Sequence, residues 1–207
     1  FDSFADTFDE KLLQNLSYKV PKLVGTLAHK LLQQQQQQQH NNNSQETKYY
    51  SAILDAGCGT GLAGRYLRQL LHKGNGIMIG VDASKKMLEK AADCTILSGC
   101  GLDTKLDDTN DEDTTTNKDD KPLYEALRQM DLEEMSISNT LETLNYHPNT
   151  PSSSSSSLET TDFFDLIVAA DVFVYFGNLE NVLQTFAKLS TSTTISSSSS
   201  SSSSSYL

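Results

Sequence analysis

The chain has 207 residues, with 16 basic against 27 acidic side chains and a formal charge of −11. That balance argues against holding nucleic acid by phosphate neutralisation, and no apolar run reaches the length of a membrane span. Three cysteines without CxxC spacing (Cys58, Cys94, Cys100) point away from a disulfide framework and from a zinc site.

Residues 1–32 read as a helical cap. Leu12, Leu13 and Leu16 form one apolar stripe, and Leu23, Val24, Leu27 and Leu31 a second. Pro21 suits a first helical turn, where its missing N–H is no loss. The Gln- and Asn-rich residues 33–48 cannot bury enough apolar surface to offset chain entropy and are expected to be a disordered loop. Residues 49–189 read as one α/β domain. The apolar run 50–54 predicts a buried strand that stops at Asp55, and Leu62, Tyr66, Leu67, Leu70 and Leu71 follow at helical spacing. Residues 77–81 predict a second strand ending at Asp82, and Ser84 an N-cap for a helix carrying Met87, Leu88 and Ala91.

Two polar insertions interrupt the pattern, an acid-rich one at 98–121 and a serine-rich one at 145–161. Between them a third strand is expected at 126–130. The apolar stretch 164–170 predicts a fourth, ending at Asp171, and an amphipathic helix is expected over 178–189. Residues 190–207 form a serine-rich tail expected to be disordered. Alternating strands and helices make the fold class α/β, a doubly wound parallel sheet. With no secretory signal in view, a cytoplasmic protein is expected. The start at Phe1 rather than Met suggests a piece of a longer chain.

The chemistry concentrates between the first strand and its helix. Gly59-x-Gly61-x-x-Gly64 satisfies the dinucleotide fingerprint, and Asp82 lies about 20 residues further on, as that fingerprint asks. Asp55 decides against a dinucleotide. It stands two residues before Gly57, where a carboxylate would repel a pyrophosphate. S-adenosyl-L-methionine carries an ammonium and a sulfonium instead, and a carboxylate at the loop's mouth suits both.

The segment Leu54-Asp55-Ala56-Gly57-Cys58-Gly59-Thr60-Gly61 resembles the first motif of the class I S-adenosylmethionine-dependent methyltransferases. Val81-Asp82-Ala83-Ser84 resembles the family's second motif, and the run from Phe164 to Val172 its fourth strand. The N-terminal segment from Phe1 to Asp9 is similar to the cap of small-molecule methyltransferases, closest to the domain found with tetratricopeptide repeats. The resemblance implies that Asp55 and the backbone around Ala56, Gly57, Cys58, Gly59 and Gly61 hold the methionine part of the cofactor. It gives Asp82 the ribose, with Ala83 and Met87 beside it. Asp131 would bond the adenine amino group between Met130 and Leu132, Phe4 would stack on the cofactor, and Ala170 would close the fourth strand's end. Relatives offer tyrosine hydroxyls from the cap, which Phe1, Phe4 and Phe8 lack.

On the substrate side the resemblance places Asp171 and Tyr175 next to the transferred methyl, with Asp171 orienting or deprotonating the acceptor. The two-proline motif that serves planar base nitrogens is missing from Asp171-Val172-Phe173-Val174-Tyr175, which favours a small-molecule acceptor over nucleic acid. No metal is implied, and His29, His40, His72 and His147 are not clustered. Two alternatives stay open: a nicotinamide-dependent oxidoreductase, and a degenerate, non-catalytic cofactor-binding fragment. The family's sheet has about seven strands. Four are visible here, so a truncated domain with an open fourth strand, marginal stability and little activity is expected.

Overall fold

The structure is a computed structural model, and it describes residues 18–38, 49–96, 121–136, 138–140 and 164–190. Phe4 with the first cap helix, almost all of both insertions, and the serine tail lie outside the described residues.

Strand β1 (Ala52–Ala56) is the centre of the sheet, and all five of its residues are buried. It pairs in parallel with β2 (Ile77–Asp82) on one side and β4 (Leu166–Val168) on the other. β2 in turn pairs with β3 (Ala126–Gln129), giving the order β3-β2-β1-β4. Among the described residues this is a four-stranded, Rossmann-like α/β sheet, with the strands the family would add not among them. Strands covered on both faces read as continuous apolar runs, which is why Ile53 and Leu54 are both inaccessible to solvent. Alternation then sends them to opposite layers. Ile53 joins Met78, Leu67, Leu71 and Tyr50 in the first core, while Leu54 joins Ile79, Val81, Phe186 and Leu189 in the second.

Helix α1 (Val20–Gln38) and helix α2 (Gly64–Arg68) cover the first face, together with α3 (Lys85–Ala92). Helix α4 (Glu180–Ser190) covers the second through Val182, Phe186 and Leu189. α3 starts where the sequence expects: the Ser84 hydroxyl accepts the Met87 N–H at 3.3 Å. α1 ends elsewhere. It runs on through residues 33–38, which were expected to begin a disordered loop at 33. Extending an existing helix needs no new buried surface, and glutamine is a good helix former. The strand limits also shift. β1 continues to Ala56, so Asp55 sits within the strand, while β3 and β4 are shorter than 126–130 and 164–170.

Side chains pin this frame at its ends. The Asp165 carboxylate accepts the Ser51 N–H and the Ala52 N–H (3.1 Å for the latter), fixing the register of β4 on β1. The Arg68 guanidinium contacts both carboxylate oxygens of Glu125 at 2.6 Å, and Glu125 also accepts the Met78 N–H at 2.7 Å. Buried Tyr50 donates its hydroxyl to the Ala28 carbonyl at 3.1 Å, tying α1 to the start of β1. Cys58 is a free thiol, whereas Cys94 is disulfide-bonded, its partner lying outside the described residues. A single bridge was not anticipated from the spacing. Among the described residues no strand pairs with the far edge of β4. None of the described helices is long and apolar enough to cross a membrane.

α1 approaches α2 closely because Gly25 has no side chain: a Cβ there would lie 2.5 Å from Tyr66 Cβ. Helix propensity alone would make Gly25→Ala stabilising by up to about 1 kcal/mol. Tyr66 Cβ is anchored to its backbone, so the two helices must separate, and overpacking of this kind costs about 1–3 kcal/mol. Gly25→Ala should therefore lower stability, read as a lower urea midpoint at unchanged slope.

Candidate active site

The site lies at the carboxyl edge of the sheet, where β1 gives way to the glycine loop. Gly57 and Cys58 donate their N–H groups to the Val81 carbonyl at 2.8 and 3.0 Å, turning the chain sharply over β2. That turn needs a left-handed backbone, with φ of 75° at Gly57 and 55° at Gly59. A Cβ on Gly57 would strike Val172, 2.7 Å away, whereas one on Gly59 would meet nothing within 4 Å. Gly59 faces open space.

That space is a cavity of about 380 Å³. From the expected cofactor set it is lined by Asp55, Gly57, Cys58, Gly59, Asp82, Ala83, Met87, Met130, Asp131, Leu132 and Ala170, and from the expected catalytic pair by both Asp171 and Tyr175. Two expected residues do not line it. Ala56 is wholly buried in the second core. Gly61 is turned toward Cys94, Tyr124 and Ala91 and serves packing. Phe4 lies outside the described residues.

The carboxylates are individually anchored. Asp82 accepts the Gly59 N–H (2.9 Å) through one oxygen and the Ser84 N–H (2.8 Å) through the other, so the end of β2 holds the glycine loop in place. Asp131 is exposed and accepts the Glu133 N–H at 2.9 Å, folding the turn that presents Met130 and Leu132. Asp171 is exposed and adopts a φ of 53°, a left-handed conformation uncommon for a residue with a side chain. Asp55 differs from all of these. It is 1% exposed, and the Tyr124 hydroxyl donates to its Oδ2 at 2.8 Å. Burial pushes its carboxyl up to about 6; the Tyr124 hydrogen bond opposes the rise and the nearby Asp82 charge adds to it. The Cys58 thiol is likewise pushed well up, chiefly by burial, so it is no ready nucleophile.

The lining also includes residues the sequence did not suggest, among them Tyr18, Pro21, Thr60, Leu62, Ala63 and Glu133. Tyr18, just ahead of α1, brings a hydroxyl to the cavity, where Phe1, Phe4 and Phe8 have none to offer. It hydrogen-bonds Asp171, and burial together with that bond raises its hydroxyl above the usual range. Its place just ahead of Pro21 was the available signal. Tyr124 had none. Among the described residues no group of His, Cys, Asp and Glu is arranged to hold a metal ion.

Residues 53–120 match the family model described as a methyltransferase domain. No curated protein matches the chain. Among solved structures it is similar to the plantazolicin methyltransferase BpumL in complex with SAH, with 18% identity and a TM-score of 0.36 over 70% of this chain and 36% of that one. A second BpumL structure, with a monoazolic desmethylPZN analog and SAH, gives 16% identity and a TM-score of 0.47 over 91% and 51%. Magnesium protoporphyrin IX methyltransferase (ChlM) from Synechocystis PCC 6803 with bound SAM gives 16% and 0.34 over 67% and 44%. The chain thus spans about half or less of the length of these structures.

Because the Asp55 carboxyl is raised in the fold, its protonated form favours the folded state. That contribution is full below the unfolded pKa of 3.8 and is lost as pH rises through about 6. Asp55→Asn, neutral throughout, should gain stability relative to the parent between pH 4 and pH 7, by on the order of 2–3 kcal/mol in the ligand-free protein. Denaturation curves for the pair that run parallel across this range would refute the burial assigned to Asp55.

Proposed function

We propose, from the class I methyltransferase domain that the chain carries, that the cavity holds S-adenosyl-L-methionine and directs its methyl group to a small-molecule acceptor. The sign of the lining carries the choice of cofactor. Asp55, Asp82, Asp131, Glu133 and Asp171 all border the cavity, and among the described residues no Lys, Arg or His lines it. A like-charge pair 4 Å apart costs about 4 kcal/mol at the effective dielectric of a protein surface, so a pyrophosphate is disfavoured here and a cation is favoured. The open space at Gly59 supports the same assignment, since it leaves room for the amino-acid end of the cofactor beside Asp55.

Each residue then has a task. Asp55 and the loop backbone meet the cationic end. Asp82 accepts the ribose hydroxyls; its oxygens each take one backbone N–H, and a carboxylate has lone pairs beyond those two. Met87, Met130 and Leu132, all buried, offer an apolar slot for the adenine ring, with Asp131 at its edge. The cofactor supplies an electrophilic methyl carbon on a sulfonium. The protein's part is alignment, which removes much of the entropic barrier to displacement.

At the acceptor end Asp171, Tyr175, Tyr18 and Phe176 border the cavity. Asp171 is placed to orient an amine or hydroxyl and to take its proton. The carboxylates of Asp131, Glu133 and Asp171 along the lining favour a neutral or cationic acceptor over a carboxylate or phosphate.

Titration calorimetry should show S-adenosylmethionine binding and NADH not binding. Asp82→Ala should weaken that binding by about 1–3 kcal/mol, the usual consequence of leaving buried hydroxyls unpaired. Unchanged affinity would remove Asp82 from the ribose role. Turnover with small amines and alcohols checks the acceptor class. Tight binding with no turnover on any acceptor would favour a cofactor-binding scaffold instead.

A further inference from the structure

Two glycines of the fingerprint, Gly61 and Gly64, and a third from β2, Gly80, share one neighbour. A Cβ on Gly64 would lie 2.4 Å from the Tyr124 hydroxyl oxygen, one on Gly61 3.3 Å from its ring, and one on Gly80 3.1 Å from its ring. Gly61 and Gly64 belong to the loop and the start of α2, and Gly80 to the middle of β2. Together they leave a slot under the glycine loop, and the Tyr124 ring fills it at 5% exposure. The ring is rigid and closely bounded, so its hydroxyl proton is directed at Oδ2 of Asp55 at 2.8 Å, while its oxygen also meets the Gly64 backbone.

We infer that Tyr124 is a positioning residue for the cofactor's cationic end: its hydroxyl holds one oxygen of Asp55 from beneath the loop and leaves the other for the ligand. The inference rests on the proposed function for its ligand and on the slot geometry for its mechanism. A neutral phenol donating to a carboxylate favours the ionised form. That is the form a sulfonium and an ammonium require. The groups facing Asp55 are few: Tyr124 from the segment before β3, Asp82 from β2, Cys58 from the loop, and Tyr18 from ahead of α1. Asp82 disfavours ionisation of Asp55, and the protonated Cys58 thiol carries no charge to assist it. Tyr124 is the neighbour whose hydrogen bond lowers the Asp55 carboxyl.

Tyr124→Phe keeps the ring in the slot and removes the hydroxyl. In the ligand-free protein the Asp55 titration midpoint, followed by carboxyl-carbon NMR and assigned by its loss in Asp55→Asn, should move upward by roughly one pH unit. S-adenosylmethionine affinity should fall roughly tenfold near pH 6, with the deficit narrowing by pH 8. Gly64→Ala keeps the hydroxyl but pushes it aside, and should raise the midpoint as well. A purely structural role for the ring would leave both the midpoint and the pH profile unmoved, and that result in either folded variant overturns the inference. A parent protein that binds no S-adenosylmethionine overturns the proposed function instead, while the midpoint still reports whether Tyr124 governs Asp55.

Discussion

A carboxylate buried at the end of the central strand is the constraint around which this fold is arranged. Desolvating an ionised group is expensive unless something polar receives it. Asp55 is received from below by Tyr124 and opens on its other side to the cavity. The glycines around it follow from that arrangement. Gly57 lets the chain pass Val172, Gly59 keeps the ligand side open, and Gly61, Gly64 and Gly80 admit the tyrosine. A glycine-rich loop of this kind is shaped from two directions, by what it binds above and by what supports it below.

The sheet was legible because burial on both faces leaves a plain trace: 50–54, 77–81 and 164–170 are apolar runs ending in acids, and each lies on or beside an observed strand. The acids Asp55, Asp82 and Asp171 were legible for the same reason, as charged residues where apolar runs stop. What stayed hidden depended on tertiary neighbours. Tyr124 is separated from Asp55 by a long polar insertion, and no local pattern says which strand edge a tyrosine will reach. Ala56 and Gly61 sit in the motif but point into packing, because a motif specifies backbone shape and leaves the facing of each side chain to the fold. Gln33–Gln38 carried a compositional signal of disorder, yet a helix already nucleated and packed by Ala28 and Leu32 simply continues through all six of them.

Charge is divided unevenly between the two halves of the site. Toward the loop, Asp82 spends both oxygens on backbone N–H groups and so acts as a strut as well as an acceptor. Toward the end of β4, Asp171 is exposed and held in an uncommon backbone conformation beside the Tyr18 hydroxyl. The first arrangement is rigid and suits a cofactor of fixed shape. The second joins two segments distant in sequence, the approach to α1 and the exit of β4, so this side of the cavity takes its form from their mutual placement.

The Asp165 clamp on Ser51 and Ala52 has a consequence for biosynthesis. It spans 113 to 114 residues of sequence, and among the described residues β4 joins the sheet through this edge of β1. During translation the glycine loop, β2 and α3 emerge well before β4 does. Until then β1 has one bare edge, and Asp171, Val172 and Tyr175 are not yet available to close the cavity. The nascent chain therefore exposes an unpaired, largely apolar strand edge for the time taken to synthesise the two polar insertions, several seconds at ordinary elongation rates of about 5–20 residues per second. A chaperone that recognises extended apolar segments would have its opportunity in that interval, and slowing the ribosome across the insertions would lengthen it.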